Sequence, residues 1–497
     1  MPNSATSPEN KPALDRKAYI IIGTLIVAAG IVLMPTPEGL SLAGQRMLAV
    51  TFFAIVMWIT EAMSYGASSI ALISFILLAL GLSPVKGLSG PLLGTAKAIP
   101  TALSGFVNSG WAFVAAGLFM AASITSTGIE KRIAYLILRA AGSRITSVIA
   151  GFIVIGFALT FIIPSVIARA ATMVPLVLGI IAAFEIPLTS QISKAMMLCV
   201  AFLPPLTGVG VLTGSAPNPV VNAMAASVGG QPASWLSWLI YIFPFSLCLA
   251  VLLYFLLVKT FKFEFDELPG GKEYIANRLR ELGPMSKMEK RISVILALTI
   301  LMWATDMLHG IDSNTVAILS VFFMVCPYIG VATWQELYKR VDWTTILLFA
   351  AGISMGNALL RTGAAAWLSQ VSLVALGIGT LPVNMMAYVL LALCFVVRFG
   401  FTSGTSFVTA MMPAVLGFLV SLNNPGISII GLVLMINIVT QNHFIIPVNS
   451  ANGTIAYGTG TFTAHDMAKI GIPFTIGMFA LLVPFIWFIW PMMGMWK

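Results

Sequence analysis

The sequence predicts an all-α polytopic membrane protein of about 11 transmembrane helices, arranged as two inverted repeats that each contain a re-entrant hairpin. Of its residues, 59% are hydrophobic and 9% are charged, whereas roughly a quarter of the residues in soluble domains are charged. Apolar runs of about 17 to 25 residues, long enough to cross the hydrocarbon core as helices, recur along the chain. A polar-tipped apolar stretch at 161–180 returns at 399–418, where Ser165 matches Ser403 and Pro175 matches Pro413.

The first half contains a series of apolar segments. A polar start with three prolines (Pro2, Pro8, Pro12) leads through Arg16 and Lys17 into the run 18–34. We expect a retained first helix there, because the run is longer than the apolar core of a secretory signal. Further helices are expected at 47–63, 67–82, 111–127, 195–213 and 238–258, with a basic amphipathic stretch at 130–144 before the broken segment and a short apolar piece from 220.

The second half repeats the first in order and spacing. Ala115-Ala116-Gly117 returns as Ala350-Ala351-Gly352, Thr127-Gly128 as Thr362-Gly363, and Ser215-Ala216 as Ser450-Ala451. We therefore divide the chain into an N-terminal segment with the first helix (1–42), a first repeat (43–258), a charged cytoplasmic linker (259–291) and a second repeat (292–497). Each repeat has an odd number of crossings, which inverts the second relative to the first.

The distribution of basic residues orients this topology. With the N-terminus in the cytoplasm, nineteen Lys and Arg lie inside and five lie outside, namely Arg46, Lys86, Lys97, Arg361 and Lys497. This bias follows the positive-inside rule. We expect a multi-pass protein of a bacterial inner membrane with its C-terminus outside, so that the tips at Ser165 and Ser403 enter from opposite sides and meet near the midplane.

Two broken segments at membrane depth indicate a central site, because lipid cannot satisfy freed backbone groups. Ser165 and Ser403 can each cap the helix that follows, and exposed helix N-termini attract anions. Arg169 follows the first tip and Arg398 precedes the second. The acids nearest the membrane are expected to be Glu61, Glu185 and Asp306, so we predict that both arginines contact an anionic ligand.

Two small, hydroxyl-rich loops complete the predicted site. They contain Gly214, Ser215 and Asn218 in the first repeat and Asn449, Ser450 and Asn452 in the second. Such loops expose carbonyl and hydroxyl groups that suit a carboxylate or a cation. The predicted substrate-binding residues are Ser165, Arg169, Ser215, Asn218, Arg398, Ser403, Thr405, Asn449, Ser450 and Asn452.

The sequence contains no motif that predicts a metal site or an enzyme active site. The four cysteines (Cys199, Cys248, Cys326, Cys394) lack C-x-x-C spacing, and the three histidines (His309, His443, His465) lie far apart without ligand motifs. The basic residues flank apolar runs, which excludes nucleic acid as a partner. We expect no cofactor, and as partners only a small anion, the lipid bilayer and a second copy of the chain.

The paired tips and loops resemble the divalent anion/sodium symporters, which have two inverted repeats, each with a re-entrant hairpin tipped by Ser-Asn-Thr. Tyr457-Gly458-Thr459-Gly460 is similar to the family's C-terminal part, and Ser165-x-x-Ala168-Arg169 is closer to the citrate/succinate antiporter and plastid oxoglutarate/malate translocator branch. The resemblance implies a homodimer whose hairpin-bearing domains carry dicarboxylates or citrate across the membrane.

The chain departs from the family motif at both tips. Ser165-Val166-Ile167 and Ser403-Gly404-Thr405 lack the asparagine that helps sodium-coupled members to bind Na⁺ and substrate, which argues against sodium coupling. Should a sodium ion bind, we expect it near Ser165, Gly214, Ser403 and Asn449. The favoured function is elevator-type exchange of di- or tricarboxylates. The alternatives are Na⁺ symport of a dicarboxylate, sulfate or sulfonate and, less favoured, an anion channel.

Overall fold

The computed structural model of the chain describes residues 16–85, 90–229, 231–268, 270–374, 377–422, 424 and 426–495. These residues form helices and connecting loops without a β-strand, and ten helices are long and apolar enough to span a membrane. Three shorter apolar helices accompany them. The predicted all-α polytopic class is therefore confirmed. The polar start at 1–15, Lys86 and Lys497 lie outside the described residues.

The described residues of the first half form eleven α-helices. They are α1 (Arg16–Leu33), α2 (Leu42–Thr60), α3 (Tyr65–Gly81), α4 (Thr95–Ala102), α5 (Ser109–Thr127), α6 (Ile129–Ala141), α7 (Ile145–Ile162), α8 (Val166–Ala183), α9 (Gln191–Gly208), α10 (Pro217–Ser227) and α11 (Trp235–Thr260). Most predicted segments coincide with one of these helices within a few residues. Helix α4 was not predicted, because its eight residues include Lys97 and Pro100 and carry no long apolar run.

The second half repeats this order after the linker. The linker contains α12 (Gly271–Glu281), and the helices that follow are α13 (Lys287–Ala304), α14 (Asp306–His309), α15 (Ser313–Val325), α16 (Trp334–Arg340), α17 (Trp343–Arg361), α18 (Ala364–Ser369), α19 (Val383–Val397), α20 (Gly404–Ser421), α21 (Ile429–Gln441), α22 (Ala451–Tyr457), α23 (Ala464–Pro484) and α24 (Trp490–Met492). The elements from α5 to α11 thus have counterparts from α17 to α23. The division into inverted repeats is consistent with this order and stays a prediction.

The linker packs against the first half. Helix α12 lies on α6, and the Arg132 Nε of α6 donates to Glu289 Oε1 over 2.7 Å. Glu289 also forms a capping box with Ser286 at the start of α13. One carboxylate therefore caps a helix and ties the linker to α6.

Each half contains a helical hairpin whose tip lacks helical structure. Helix α7 ends at Ile162 and α8 begins at Val166, while α19 passes through a short 3₁₀ turn (Arg398–Gly400) before α20 begins at Gly404. A Cβ atom on Gly352 of α17 would overlap the Thr409 side chain of α20, so glycine permits this close approach. The second hairpin is thereby packed tightly against α17.

A second interruption follows each hairpin. Helix α9 ends at Gly208 and continues as α10 only from Pro217, and α21 ends at Gln441 before α22 begins at Ala451. Helix α10 packs against α21, and α22 packs against α9. The helix after each unwound loop therefore packs against the helix before the other loop, which brings the two loops together.

Candidate functional site

Both hairpin tips are closed by the serines that the sequence singled out. Ser165 Oγ accepts a hydrogen bond from the Ala168 N–H (3.2 Å), and Ser403 Oγ accepts one from the Thr405 N–H (3.2 Å). Both serines are extended, as N-cap residues are. The first turns of α8 and α20 thus direct partial positive charge toward the tips.

A cavity of about 300 Å³ lies between the tips and the unwound loops. It brings together seven of the ten predicted residues, which are Ser165, Ser215, Arg398, Ser403, Thr405, Ser450 and Asn452. Residues from both halves contribute, and the charged group deepest among them is Arg398, which is 2% exposed. A cavity of this volume is within the range of small-molecule sites, and about half of the residues in its wall are polar or charged.

One end of the cavity wall lies where α5 ends and α17 begins. It is formed by Thr125 in the last turns of α5 and by Arg340, Asp342 and Thr345 around the start of α17. Helix α6, which follows α5 directly, contacts α12 of the linker. The linker is the part of the chain that the sequence predicts to be cytoplasmic.

Arg398 reaches the cavity wall while it holds the backbone around it. Its Nε donates to the Thr440 carbonyl (3.2 Å), one terminal nitrogen donates to the Phe401 carbonyl, and the other donates to the Asn449 carbonyl (2.6 Å). A guanidinium has five N–H groups. Within the described part of the chain three of them are used, which leaves two for a ligand.

Arg169 does not line the cavity, contrary to the prediction from the sequence. Its guanidinium is completely buried and donates to the Thr160 and Thr207 hydroxyls and to the carbonyls of Pro204 (2.8 Å) and Gly214 (2.5 Å). Carbonyl groups in the last turn of α9 and in the following loop thus bind the terminal nitrogens of Arg169 in place of a ligand, while its Nε has no partner among the described residues.

The two arginines have equivalent structural roles. Arg169 binds the carbonyl of Gly214, the residue before Ser215, and Arg398 binds the carbonyl of Asn449, the residue before Ser450. Each also binds a carbonyl at the end of the preceding helix, at Pro204 or at Thr440. Each arginine therefore fastens its hairpin to the unwound loop of the same half, and Arg398 alone also faces the cavity.

Two predicted asparagines lie behind the cavity wall. Asn218 Nδ2 donates to the Gly208 and Val211 carbonyls (2.9 and 2.8 Å), which closes the first unwound loop. The Asn449 side chain pairs with His443 Nδ1 (3.0 Å). Neither residue lines the cavity.

Asn452 lines the cavity and also bonds across the halves, from Nδ2 to the Ala201 carbonyl over 2.5 Å. That carbonyl has no helical partner, because Pro205 four residues later lacks an N–H. The second unwound loop thus satisfies a backbone group that a proline of the first half leaves free.

Ser215 and Ser450, which match by repeat, differ in their bonding. Ser450 Oγ accepts from the Gly453 N–H (3.2 Å) and caps α22. Ser215 Oγ is buried without a hydrogen-bond partner among the described residues. Of the two hydroxyls, the one on Ser215 is free to bind a ligand.

Sequence reasoning missed several residues of the cavity. Arg340, Asp342 and Gln441 were not predicted. Asp342, rather than Glu61, Glu185 or Asp306, is the acid in the wall, and it caps α17 by accepting from the Thr345 N–H (3.2 Å). Glu61 instead accepts from Thr402 beside the second tip (2.8 Å). A usable signal was the polar Gln441-Asn442-His443 run that ends the apolar stretch of α21.

No group of three or more His, Cys, Asp or Glu side chains in the described ranges has the geometry of a metal site. The positions named for a sodium ion remain untested. Ser165 and Ser403 lie at the cavity, whereas Gly214 and Asn449 offer carbonyls that the arginines already occupy.

Comparison with known proteins matches residues 15–496 to the sodium:sulfate symporter transmembrane region. A protein of Cupriavidus necator described as "Membrane protein" is 36% identical, covering 99% of this chain and 95% of its own length. A "Sodium-dependent dicarboxylate transporter SdcS" of Staphylococcus saprophyticus is 25% identical over 95% of this chain and 91% of its own. "Dicarboxylate transporter 1, chloroplastic" of Spinacia oleracea is 27% identical over 82% and 69%, respectively.

Proposed function

The chain belongs to the sodium:sulfate symporter transmembrane region family, and from this premise we propose that it is a secondary transporter of small dicarboxylate anions. Membership confirms the resemblance to the divalent anion/sodium symporters noted from the tips. The proposal of dicarboxylate as substrate is supported by the names of the bacterial and chloroplast relatives. Since the family consists of transporters, we propose no enzymatic activity.

The main structural support for this proposal is the position of Arg398 in the cavity wall. Its buried guanidinium faces a central cavity between two capped helix N-termini, with two N–H groups left for a ligand. A carboxylate can accept two parallel bonds from such a planar group, and the helix ends add favourable partial charge. A dicarboxylate could then place its second carboxylate toward Ser215, Thr405 or Asn452.

Purified protein in liposomes that are preloaded with malate and placed in sodium buffer tests this function under either coupling mechanism. We expect saturable uptake of labelled succinate that external unlabelled dicarboxylates inhibit and that chloride does not. The control is the same protein with Arg398 replaced by Lys, which keeps the charge and lacks the planar fork. Absence of uptake of every dicarboxylate by monodisperse protein would reject the proposal.

We further propose that the protein exchanges anions and does not need sodium. The tips carry Val166 and Gly404 where the family motif has asparagine, and a buried charge such as Arg398 is disfavoured without a compensating partner. A loaded site should therefore move across the membrane more readily than an empty one. The sodium-dependent relatives make symport the competing mechanism.

Counter-anion dependence separates the two mechanisms. Vesicles preloaded with malate should take up labelled succinate equally in choline and in sodium buffer, while empty vesicles should take up little. Strong uptake into empty vesicles that requires an inward sodium gradient would reject exchange and establish symport.

A further inference from the structure

A chain of three buried amides connects the first unwound loop to the cavity. Asn437 Nδ2 of α21 donates to Asn218 Oδ1 of α10 over 2.8 Å, and Gln441 Nε2 donates to Asn437 Oδ1 over 3.3 Å. Gln441 is 9% exposed and lines the cavity, whereas Asn218 and Asn437 are completely buried behind it.

Backbone carbonyl groups fix the orientation of these three side-chain amides. Asn218 is held by two carbonyls, Gly208 and Val211, which can only accept, so its NH₂ group must face them. Its oxygen then has to accept from the NH₂ group of Asn437, and the Asn437 oxygen has to accept from Gln441. The orientation of all three amides thus follows from the hydrogen-bond network.

The Gln441 oxygen is consequently turned toward the tip of the second hairpin. A Cβ atom on Gly404, the first residue of α20, would lie 3.1 Å from Gln441 Oε1 and 3.8 Å from Nε2. Within the part of the chain that the structure describes, no donor bonds this oxygen. Gln441 therefore presents an open acceptor in a cavity whose deepest charged group is an arginine.

The positive charge of Arg398 makes a cation an unfavourable ligand for the Gln441 oxygen. Gln441 follows Thr440, whose carbonyl accepts from Arg398 Nε, so a cation at Oε1 would lie close to a buried guanidinium. A carboxylate oxygen cannot donate a hydrogen bond, whereas a hydroxyl group can. The acceptor therefore fits an anion that carries a hydroxyl as well as carboxylates.

We propose that Gln441 accepts a hydrogen bond from a hydroxyl group of the transported anion and makes the protein prefer 2-hydroxydicarboxylates to unsubstituted dicarboxylates. This inference rests on the proposed function. An unsubstituted substrate leaves the buried oxygen without a donor, and sites that bind a substrate hydroxyl reject analogues that lack it.

Competition between malate and succinate tests the proposal. In malate-loaded liposomes we expect wild-type kcat/KM to favour malate by about tenfold or more, which is the usual scale for one buried hydrogen bond. Gln441→Met, which has similar length and no amide oxygen, should lower kcat/KM for malate and bring the ratio close to one. Gly404→Ala provides a second variant in case Gln441→Met does not fold. Its methyl group would crowd Gln441 Oε1, so it should also lower the ratio of malate to succinate.

Thr125→Val is the control within the cavity wall. The Thr125 hydroxyl donates to its own helix, so its loss should leave the ratio unchanged.

The outcomes separate the two proposals. Uptake of both anions with the same ratio in wild type and both variants overturns the role of Gln441 and leaves dicarboxylate transport standing. A variant that changes only the sodium dependence also overturns it, since Oε1 would then hold a cation. Uptake of neither anion by the wild type rejects the proposed function together with this inference.

Discussion

At the scale of single residues, two arginines lie buried in the hairpins because carbonyl groups in and next to the unwound loops and at the second tip bind them. A charge buried in the membrane is costly unless it is paired or hydrogen-bonded. Arg169 obtains two carbonyls and two hydroxyls, and Arg398 obtains three carbonyls. Only Arg398 also faces the cavity, so the two residues should respond differently to substitution.

Arg169→Lys should lower the thermal stability and leave the KM of the surviving protein close to wild type. Hydrogen bonds to a charged group contribute about 1.5–3 kcal/mol each, so we expect a loss of roughly 3 kcal/mol or more. Arg398→Lys should raise the KM for the anion at least about tenfold, because the planar fork is lost. Melting curves in detergent and uptake kinetics measure both effects. Equal changes in KM for the two variants would contradict this division of roles.

Ser215 and Ser450, which occupy corresponding positions in the two unwound loops, should also respond differently to substitution. Ser450→Ala removes the cap of α22 and should cost about 1 kcal/mol of stability. Ser215→Ala removes a hydroxyl that has no partner among the described residues, so it should leave the melting temperature unchanged and weaken anion binding. A fall in melting temperature for Ser215→Ala as large as that for Ser450→Ala would show that Ser215 is structural instead.

At the scale of elements, α6 contains a buried carboxylate that is poorly satisfied. Glu130 is 3% exposed, its Oε2 lacks a partner in the described ranges, and burial raises the pKa of this carboxyl group. A raised folded-state pKa means that the folded protein binds the proton more tightly than the unfolded chain does, so this group makes stability fall as the pH rises from the usual glutamate pKa through the raised value.

Glu130→Gln should therefore raise the melting temperature at pH 7.5, because an amide carries no charge to desolvate. The gain should shrink as the pH is lowered toward the usual glutamate pKa, where the wild-type carboxyl is protonated as well. Melting curves of both proteins across this range provide the measurement, with Glu273→Gln, at an exposed position of α12, as a control. A gain that does not depend on pH would exclude titration of Glu130 as its cause.

Some of the residues in the candidate site could be predicted from the sequence, and others could not. The repeated tip and loop motifs pointed to Ser165, Ser403, Ser215 and Ser450, which the fold brings to one cavity, because interruptions of apolar runs are visible in sequence. The surroundings of Arg169 were not predictable, since a buried arginine binds backbone carbonyls or a ligand equally well and only the fold brings Pro204 and Gly214 to it. Gln441 was missed because its role depends on amides from two separate segments.

At the scale of the whole molecule, the two halves are joined through their interrupted helices. Helix α10 packs on α21 and α22 on α9, and Lys194 at the start of α9 forms an ion pair with Asp466 at the start of α23 over 3.0 Å. A cavity that contains residues of both halves can therefore form only when both are folded. Movement of one hairpin relative to the other would change this cavity directly.

If the halves are inverted as predicted, the hairpins enter the membrane from opposite faces. The open end of the first hairpin includes Leu188, which is 49% exposed, and the open end of the second includes the exposed Thr380. The predicted odd number of crossings in each repeat puts these two positions on different sides. From the positive-inside rule we predict that Leu188 lies in the cytoplasm and Thr380 outside.

Single cysteines at these positions test the arrangement in a protein whose four native cysteines have been replaced. A maleimide that cannot cross membranes should label Thr380→Cys in intact cells and Leu188→Cys only after permeabilisation, while the cysteine-free parent remains unlabelled. Reversal of both results would invert the orientation and keep the inverted repeats. Labelling of both positions from the same side would reject the inversion, because hairpins that enter from one face cannot be related by a two-fold axis in the membrane plane.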